Sequence, residues 1–128
     1  MTSIIENKLY LGSICEYPHD INITCIINVS GEKCKTQNKL CRQINITNLD
    51  DSPDVEIDQL FDYVYDIIEK EQCVYIYCLA GISRSPTLVA SYLMRKYSIG
   101  CDEALDYIRE RRPQIQPNEG FMNKLQVF

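Results

Sequence analysis

Apolar and polar positions follow two different periods along this chain, and each change of period marks an element. KLYLG (8–12) reads as a short strand ending at a glycine. ITCIINVS (23–30) is a β-branched, nearly unbroken apolar run of the kind buried on both faces of a parallel sheet. CRQINIT (41–47) alternates more weakly and is a further strand candidate. In VEIDQLFDYVYDIIEK (55–70) the period lengthens: Ile57, Leu60, Phe61, Val64, Ile67 and Ile68 recur at steps of three and four with acids opposite, an amphipathic helix that Asp54 is placed to cap. CVYIYC (73–78) returns to a strand. From about residue 84, Leu88, Val89, Tyr92 and Leu93 form one helical face, with Pro86 in the first turn, where its missing N–H does no harm, and Gly100 beyond the end. DEALDYIRERR (102–112) is a helix with acids first and bases last, stopped by Pro113, and NEGFMNKLQVF (118–128) makes another with Asn118 as its cap. Strands alternating with helices predict an α/β fold: a central, mostly parallel sheet of four to five strands flanked by helices.

Composition narrows the class. A chain of 128 residues, 45% hydrophobic and 24% charged, with five Gly and five Pro, fits one folded domain spanning 1–128. No stretch is long enough to cross a bilayer, and the N-terminus lacks the pattern of a secretion signal, so a cytoplasmic protein without a membrane partner is expected. The seven cysteines are odd in number and scattered, which suits a reducing compartment better than a disulfide framework. There is no CxxC pair and His19 is the only histidine, so neither a zinc site nor a Cys-His catalytic pair has local support; no metal or cofactor is implied. A net charge of −5 disfavours nucleic acid as a partner. Arg109, Arg111 and Arg112 form a small local basic cluster, a candidate for one face of a cleft, and its plainest reading is a solvated helix end favoured by the helix dipole.

The chemistry concentrates in YCLAGISRSP (77–86). A cysteine at a strand end is, taken alone, usually packing. Here Cys78 ends a predicted strand, five residues with Ala80, Gly81 and Ser83 among them follow, and a helix begins near Arg84. Backbone N–H groups of such a loop converge with the helix N-terminus on one point, a nest that binds an anion with several oxygens and favours a thiolate beside it. Arg84 adds a planar fork that matches two phosphate oxygens. A thiolate facing a bound phosphate implies phosphoryl transfer to sulfur. On an open α/β sheet, this loop falls at the carboxyl ends of the strands, where ligands bind.

The stretch resembles the Cys-x5-Arg signature of the cysteine-dependent protein tyrosine phosphatase superfamily, specifically its small dual-specificity branch. LYLGS (9–13), IINVS (26–30), AGISRSPTL (80–88), SYLM (91–94), DEAL (102–105) and RRPQIQPNEGF (111–121) are similar to that family's segments in the same order and cover most of the chain. The resemblance implies a dual-specificity protein phosphatase working through a phosphocysteine, with a phosphatase-type loop between the last parallel strand and a helix. It makes Cys78 the nucleophile, Arg84 the phosphate clamp, and Leu79, Ala80, Gly81, Ile82 and Ser83 the substrate cradle. Ser85 is then the hydroxyl that stabilises the departing thiolate.

Expelling an alcohol oxygen needs an acid, and NLDDSPDVEID (48–58) offers Asp50, Asp51 and Asp54 in a loop ahead of the amphipathic helix. In the family the acid lies ten residues before an aromatic on that helix, which from Phe61 implies Asp51. One position departs: most of the superfamily has a histidine before the nucleophile, and this chain has Tyr77. Tyrosine lacks the charge and geometry of imidazole. The departure implies either a slower or more alkaline-shifted phosphatase, or a phosphate-recognising module with little turnover. The uncharged loop 79–83 lacks the extra lysines of relatives that act on inositol lipids, so the expected partner is a phosphoprotein substrate. Arsenate reductases and rhodaneses, which also hold a cysteine in an anion loop, lack the Arg84-Ser85 pairing and the PNEGF run found here.

Overall fold

The computed structural model describes residues 1–16, 22–33 and 41–128. The strands are β1 (Thr2–Ile5), β2 (Leu9–Ser13), β3 (Cys25–Asn28), β4 (Arg42–Asn45) and β5 (Val74–Cys78). They form one sheet in the order β1-β2-β5-β3-β4, with β1 antiparallel to β2 and every other pairing parallel. The helices are α1 (Phe61–Lys70), α2 (Arg84–Tyr97), α3 (Cys101–Arg111) and α4 (Glu119–Gln126). His19 and Cys34 lie outside the described residues.

β5 is central and buried along its whole length, so its alternating side chains enter two separate apolar layers. Val74, Ile76 and Cys78 join the larger cluster, to which all four helices contribute, among others through Phe61, Leu88, Leu105 and Phe121. Tyr75 and Tyr77 face the other way, into a smaller layer with Tyr10, Ile23, Ile26 and Cys73. Helix α2 is buried from Arg84 to Met94 and touches β5, β2, α1, α3 and α4. The element that carries the arginine of the loop is therefore the most enclosed helix of the fold.

Two boundaries differ from the periodic pattern. The helix expected over 55–70 opens as a 3-10 turn, Ile57–Leu60, before α1, and neither start has a side-chain cap. Asp54 does not cap it: the residue is exposed, and its N–H donates to Ser52 Oγ at 3.4 Å. Val55 and Glu56 separate Asp54 from Ile57, so Glu56 and not Asp54 stands at the N-cap position of the turn. Strand β1 has no counterpart in the pattern, because only Ile4 of its four residues is buried. It is turned onto β2 at Asn7, whose φ of 63° is the left-handed conformation asparagine tolerates. At the other end of the chain Asn118 caps α4 as its sequence predicts, Oδ1 accepting from Phe121 N–H at 2.9 Å.

Candidate active site

The parallel pairing of β2 and β5 ends at Ser13 and Cys78, so the loop 79–83 leaves the carboxyl edge of the sheet between β2 and the start of α2. Every carbonyl of this loop except that of Ser83 is held from outside. Leu79 O accepts from Ile14 N–H at 3.3 Å, Gly81 O from Arg112 Nε at 2.9 Å, Ala80 O from Arg112 Nη2 at 3.5 Å, and Ile82 O from Gln116 N–H at 2.7 Å. A trans peptide points its C=O and the next N–H in opposite directions, and none of these bonds is cis. Four carbonyls pulled outward thus turn the N–H groups of residues 80–83 inward. Gly81 makes the loop sterically feasible: its φ is +68°, and a Cβ there would lie 2.5 Å from Arg112 Nη2 and 2.7 Å from Gly12 O.

Cys78 is 2% exposed, and its Sγ accepts from Ser85 Oγ–H at 3.1 Å. Three other thiols, those of the buried Cys25 and Cys73 and the half-buried Cys101, sit in different surroundings. Burial pushes Cys25 up to about 12, and burial also raises Cys73 and Cys101, so these three are held as thiols near neutrality. Arg84 is buried, and its Nη1 donates to Ser30 O and Leu49 O, both at 3.0 Å. Ser30 is fixed in turn, since its N–H and Oγ–H both donate to Asn28 Oδ1, at 2.9 and 2.6 Å. The guanidinium is thereby anchored to the segments after β3 and β4, with its remaining N–H groups left for the loop.

Of the three acids in the 50–54 loop, Asp51 is the one joined to residues 79–83. Its Oδ1 accepts from Ser83 Oγ–H at 2.6 Å and from Asn118 Nδ2 at 2.8 Å. Asp50 is exposed, as is Asp54. Ser83 occupies the N-cap position of α2 but does not cap it, because its hydroxyl is bonded to Asp51. The first-turn amides of α2 therefore have no side-chain acceptor from their own cap, which leaves them to an anion.

The basic cluster at the end of α3 divides. Arg111 is exposed and lies over the Tyr107 ring, 3.6 Å from its centroid. Arg112 is not a solvated helix end: it is 4% exposed, and besides the two loop carbonyls it reaches Thr2 Oγ1 at 3.0 Å and Glu16 Oε1 at 2.7 Å. Burial alone would raise the Glu16 carboxyl. Hydrogen bonds from Arg112 and the terminal amine of Met1 outweigh it and bring Glu16 down to about 2. The arginine turns inward because loop carbonyls and a carboxylate await it there, an arrangement that spacing along one helix does not reveal. Sequence reasoning also missed Asn28, Ser30 and Glu16; Asn118 was legible only as a cap.

Among the described residues no cluster of three or more His, Cys, Asp or Glu is placed to hold a metal, and no helix is long and apolar enough to cross a membrane. Inward amides, a guanidinium and a sulfur together are chemically suited to an oxyanion.

Comparison with known proteins shows the family and the fold. The C. elegans tyrosine-protein phosphatase vhp-1 is 36% identical over 137 residues, covering 96% of this chain and 20% of the relative. Human dual specificity protein phosphatase 5 is 38% identical over 129 residues, covering 91% and 33%. The chain thus spans a third or less of these two relatives. The structure of the human tyrosine phosphatase-like serine/threonine/tyrosine-interacting protein superposes with a TM-score of 0.88 at 28% identity, over 99% of this chain and 93% of that one. The family model "Dual specificity phosphatase, catalytic domain" matches residues 9–128, and the chain belongs to that family.

Proposed function

We propose that residues 1–128 form one catalytic domain that hydrolyses phosphotyrosine and phosphoserine or phosphothreonine on proteins through a phosphocysteine. The observation that carries this reading is the loop whose carbonyls at residues 79–82 are drawn outward around a sulfur hydrogen-bonded to Ser85. The substrate's phosphoryl oxygens sit on the amides of 80–83 and on Arg84. The Cys78 thiolate attacks phosphorus in line, the bond from phosphorus to the leaving oxygen breaks, and Asp51 gives that oxygen its proton. Asp51, now ionised, takes a proton from water as the water attacks the phosphocysteine. The S–P bond then breaks, and the Ser85 hydroxyl, already 3.1 Å from Sγ, stabilises the thiolate as it leaves. No step needs a metal.

Access favours both substrate classes. Leu79 is 49% exposed and Ala80 is exposed too, so the mouth of the loop is open and uncharged, without the lysines a multiply charged lipid headgroup would call for. Steady hydrolysis of 4-nitrophenyl phosphate that vanishes in Cys78→Ser is the expected result. Phosphopeptide binding without turnover would instead establish a recognition module, the outcome that Tyr77 in place of histidine favours. Cleavage of phosphotyrosine peptides alone would overturn the dual specificity.

A further inference from the structure

We propose that Ser83 and Asn118 are positioning residues that decide which oxygen of Asp51 carries the proton given to the leaving group. This rests on the reading of Asp51 as the general acid. Asp51 is exposed, so nothing in its packing orients the carboxyl. Two donors do: Ser83 Oγ–H at 2.6 Å and Asn118 Nδ2–H at 2.8 Å, both on Oδ1. Each donor is itself fixed. Ser83 Oγ accepts the Asn118 backbone N–H at 3.0 Å, which directs its own proton towards Asp51. Asn118 Oδ1 is taken by Phe121 N–H at 2.9 Å, so its nitrogen faces the carboxyl.

An acid proton placed on Oδ1 would meet two incoming hydrogens and forfeit at least one of these bonds. Oδ1 therefore serves as the carbonyl oxygen of the neutral acid, and the proton resides on Oδ2, the atom left for the leaving group. The arrangement also explains how α4 meets the acid loop. A Cβ at Gly120 would fall 1.9 Å from Pro53 O, so only glycine lets the first turn of α4 bring Asn118 against Asp51. The hydroxyl that an N-cap would ordinarily give to α2 is diverted to the same carboxyl. One acid is thus tied at once to the phosphate loop and to the cap of the last helix.

The test uses the full chain with Ser83→Ala and with Asn118→Asp, which keeps the acceptor for Phe121 N–H and removes the donor to Asp51. kcat/KM, which reads the step in which the leaving group departs, is measured on aryl phosphates from 2,4-dinitrophenyl, which leaves without a proton, to phenyl, which does not. Both variants are expected to lose about 10- to 100-fold on phenyl phosphate, part of the 10²- to 10⁴-fold a positioned acid supplies, and to stay within about threefold on the dinitrophenyl ester. Asp51→Asn should show the same selectivity more strongly, and adding Ser83→Ala to it should change nothing more. Equal losses on every ester, or no loss on any, overturn the positioning role. A flat response in Asp51→Asn itself overturns the assignment of the acid and is read separately from the two neighbours.

Discussion

Arg112 supplies donors to Gly81 O, Ala80 O, Thr2 and Glu16 from one buried guanidinium. Arg112→Ala strands those acceptors, and breaking a buried pair at one end costs about 3–5 kcal/mol, less here because the Glu16 side chain is 28% exposed. We expect a loss of about 2–3 kcal/mol in urea unfolding and a fall in kcat/KM on every ester, since freed carbonyls no longer turn the loop amides inward. Arg112→Lys should recover less than half of the stability, because one ammonium cannot serve a forked set of acceptors; full recovery would remove the guanidinium from this account. Gly81→Ala is the matching test of the backbone: at φ +68°, with Arg112 and Gly12 inside 3 Å of the new methyl, activity should drop by about 100-fold or more while the chain still folds. Tyr77 acts differently from what its place beside the nucleophile suggests. It points to the opposite face of the sheet from Cys78, in a stack with Tyr75 whose ring centroids are 5.5 Å apart. Cys78, Arg84 and Ser85 stand within eight residues of one another, so the sequence shows them as a candidate set, whereas Asp51 is singled out there only through the family resemblance. The Arg112–Glu16 pair spans 96 residues and Asn118–Asp51 spans 67, and no periodicity links such positions.

Among the elements, α4 does most to join the acid loop to the rest, and Gly120 is where it touches. Gly120→Ala places a methyl on Pro53 O, which backbone cannot easily yield, so the start of α4 must lift from the 50–54 loop. Overpacking of this kind costs about 1–3 kcal/mol. The expected signature is that stability loss together with a selective fall on phenyl phosphate, whereas an unchanged dependence on the leaving group would show that α4 and Asp51 are independent. The elements most legible in the pattern are those with the most one-sided burial. β3 and β5 are buried throughout, and α1 buries Phe61, Val64, Ile67 and Ile68 on a clear face. β1 escapes because one buried isoleucine in four residues makes no period. The 3-10 opening of α1 escapes because three- and four-residue spacings are nearly the same over a single turn.

At the scale of the whole molecule, the Glu16–Arg112 pair fastens three regions: the segment after β2, the end of α3 and the phosphate loop. It also makes stability depend on acid. Glu16 lies at about 2 in the folded chain against an ordinary value near 4.5, so the unfolded chain binds the proton first as pH falls. A carboxyl lowered by folding stabilises fully above the unfolded value and loses that contribution between about 4.5 and about 2. Discounted for partial exposure, the contribution is on the order of 1–3 kcal/mol. Other carboxylates titrate in the same window, Glu69 among them, held low by hydrogen bonds from Lys96 and Tyr65. The informative quantity is therefore the difference between the wild-type chain and Glu16→Gln. That difference should be largest in urea unfolding at pH 7, shrink through pH 4 and nearly vanish at pH 2. A difference independent of pH would mean that glutamine disturbs packing and that the charge of Glu16 holds nothing. If the difference does shrink, phosphatase activity should be lost alongside it on acidification faster in the wild type than in Glu16→Gln, because the arginine that Glu16 restrains is the one that holds the Ala80 and Gly81 carbonyls outward.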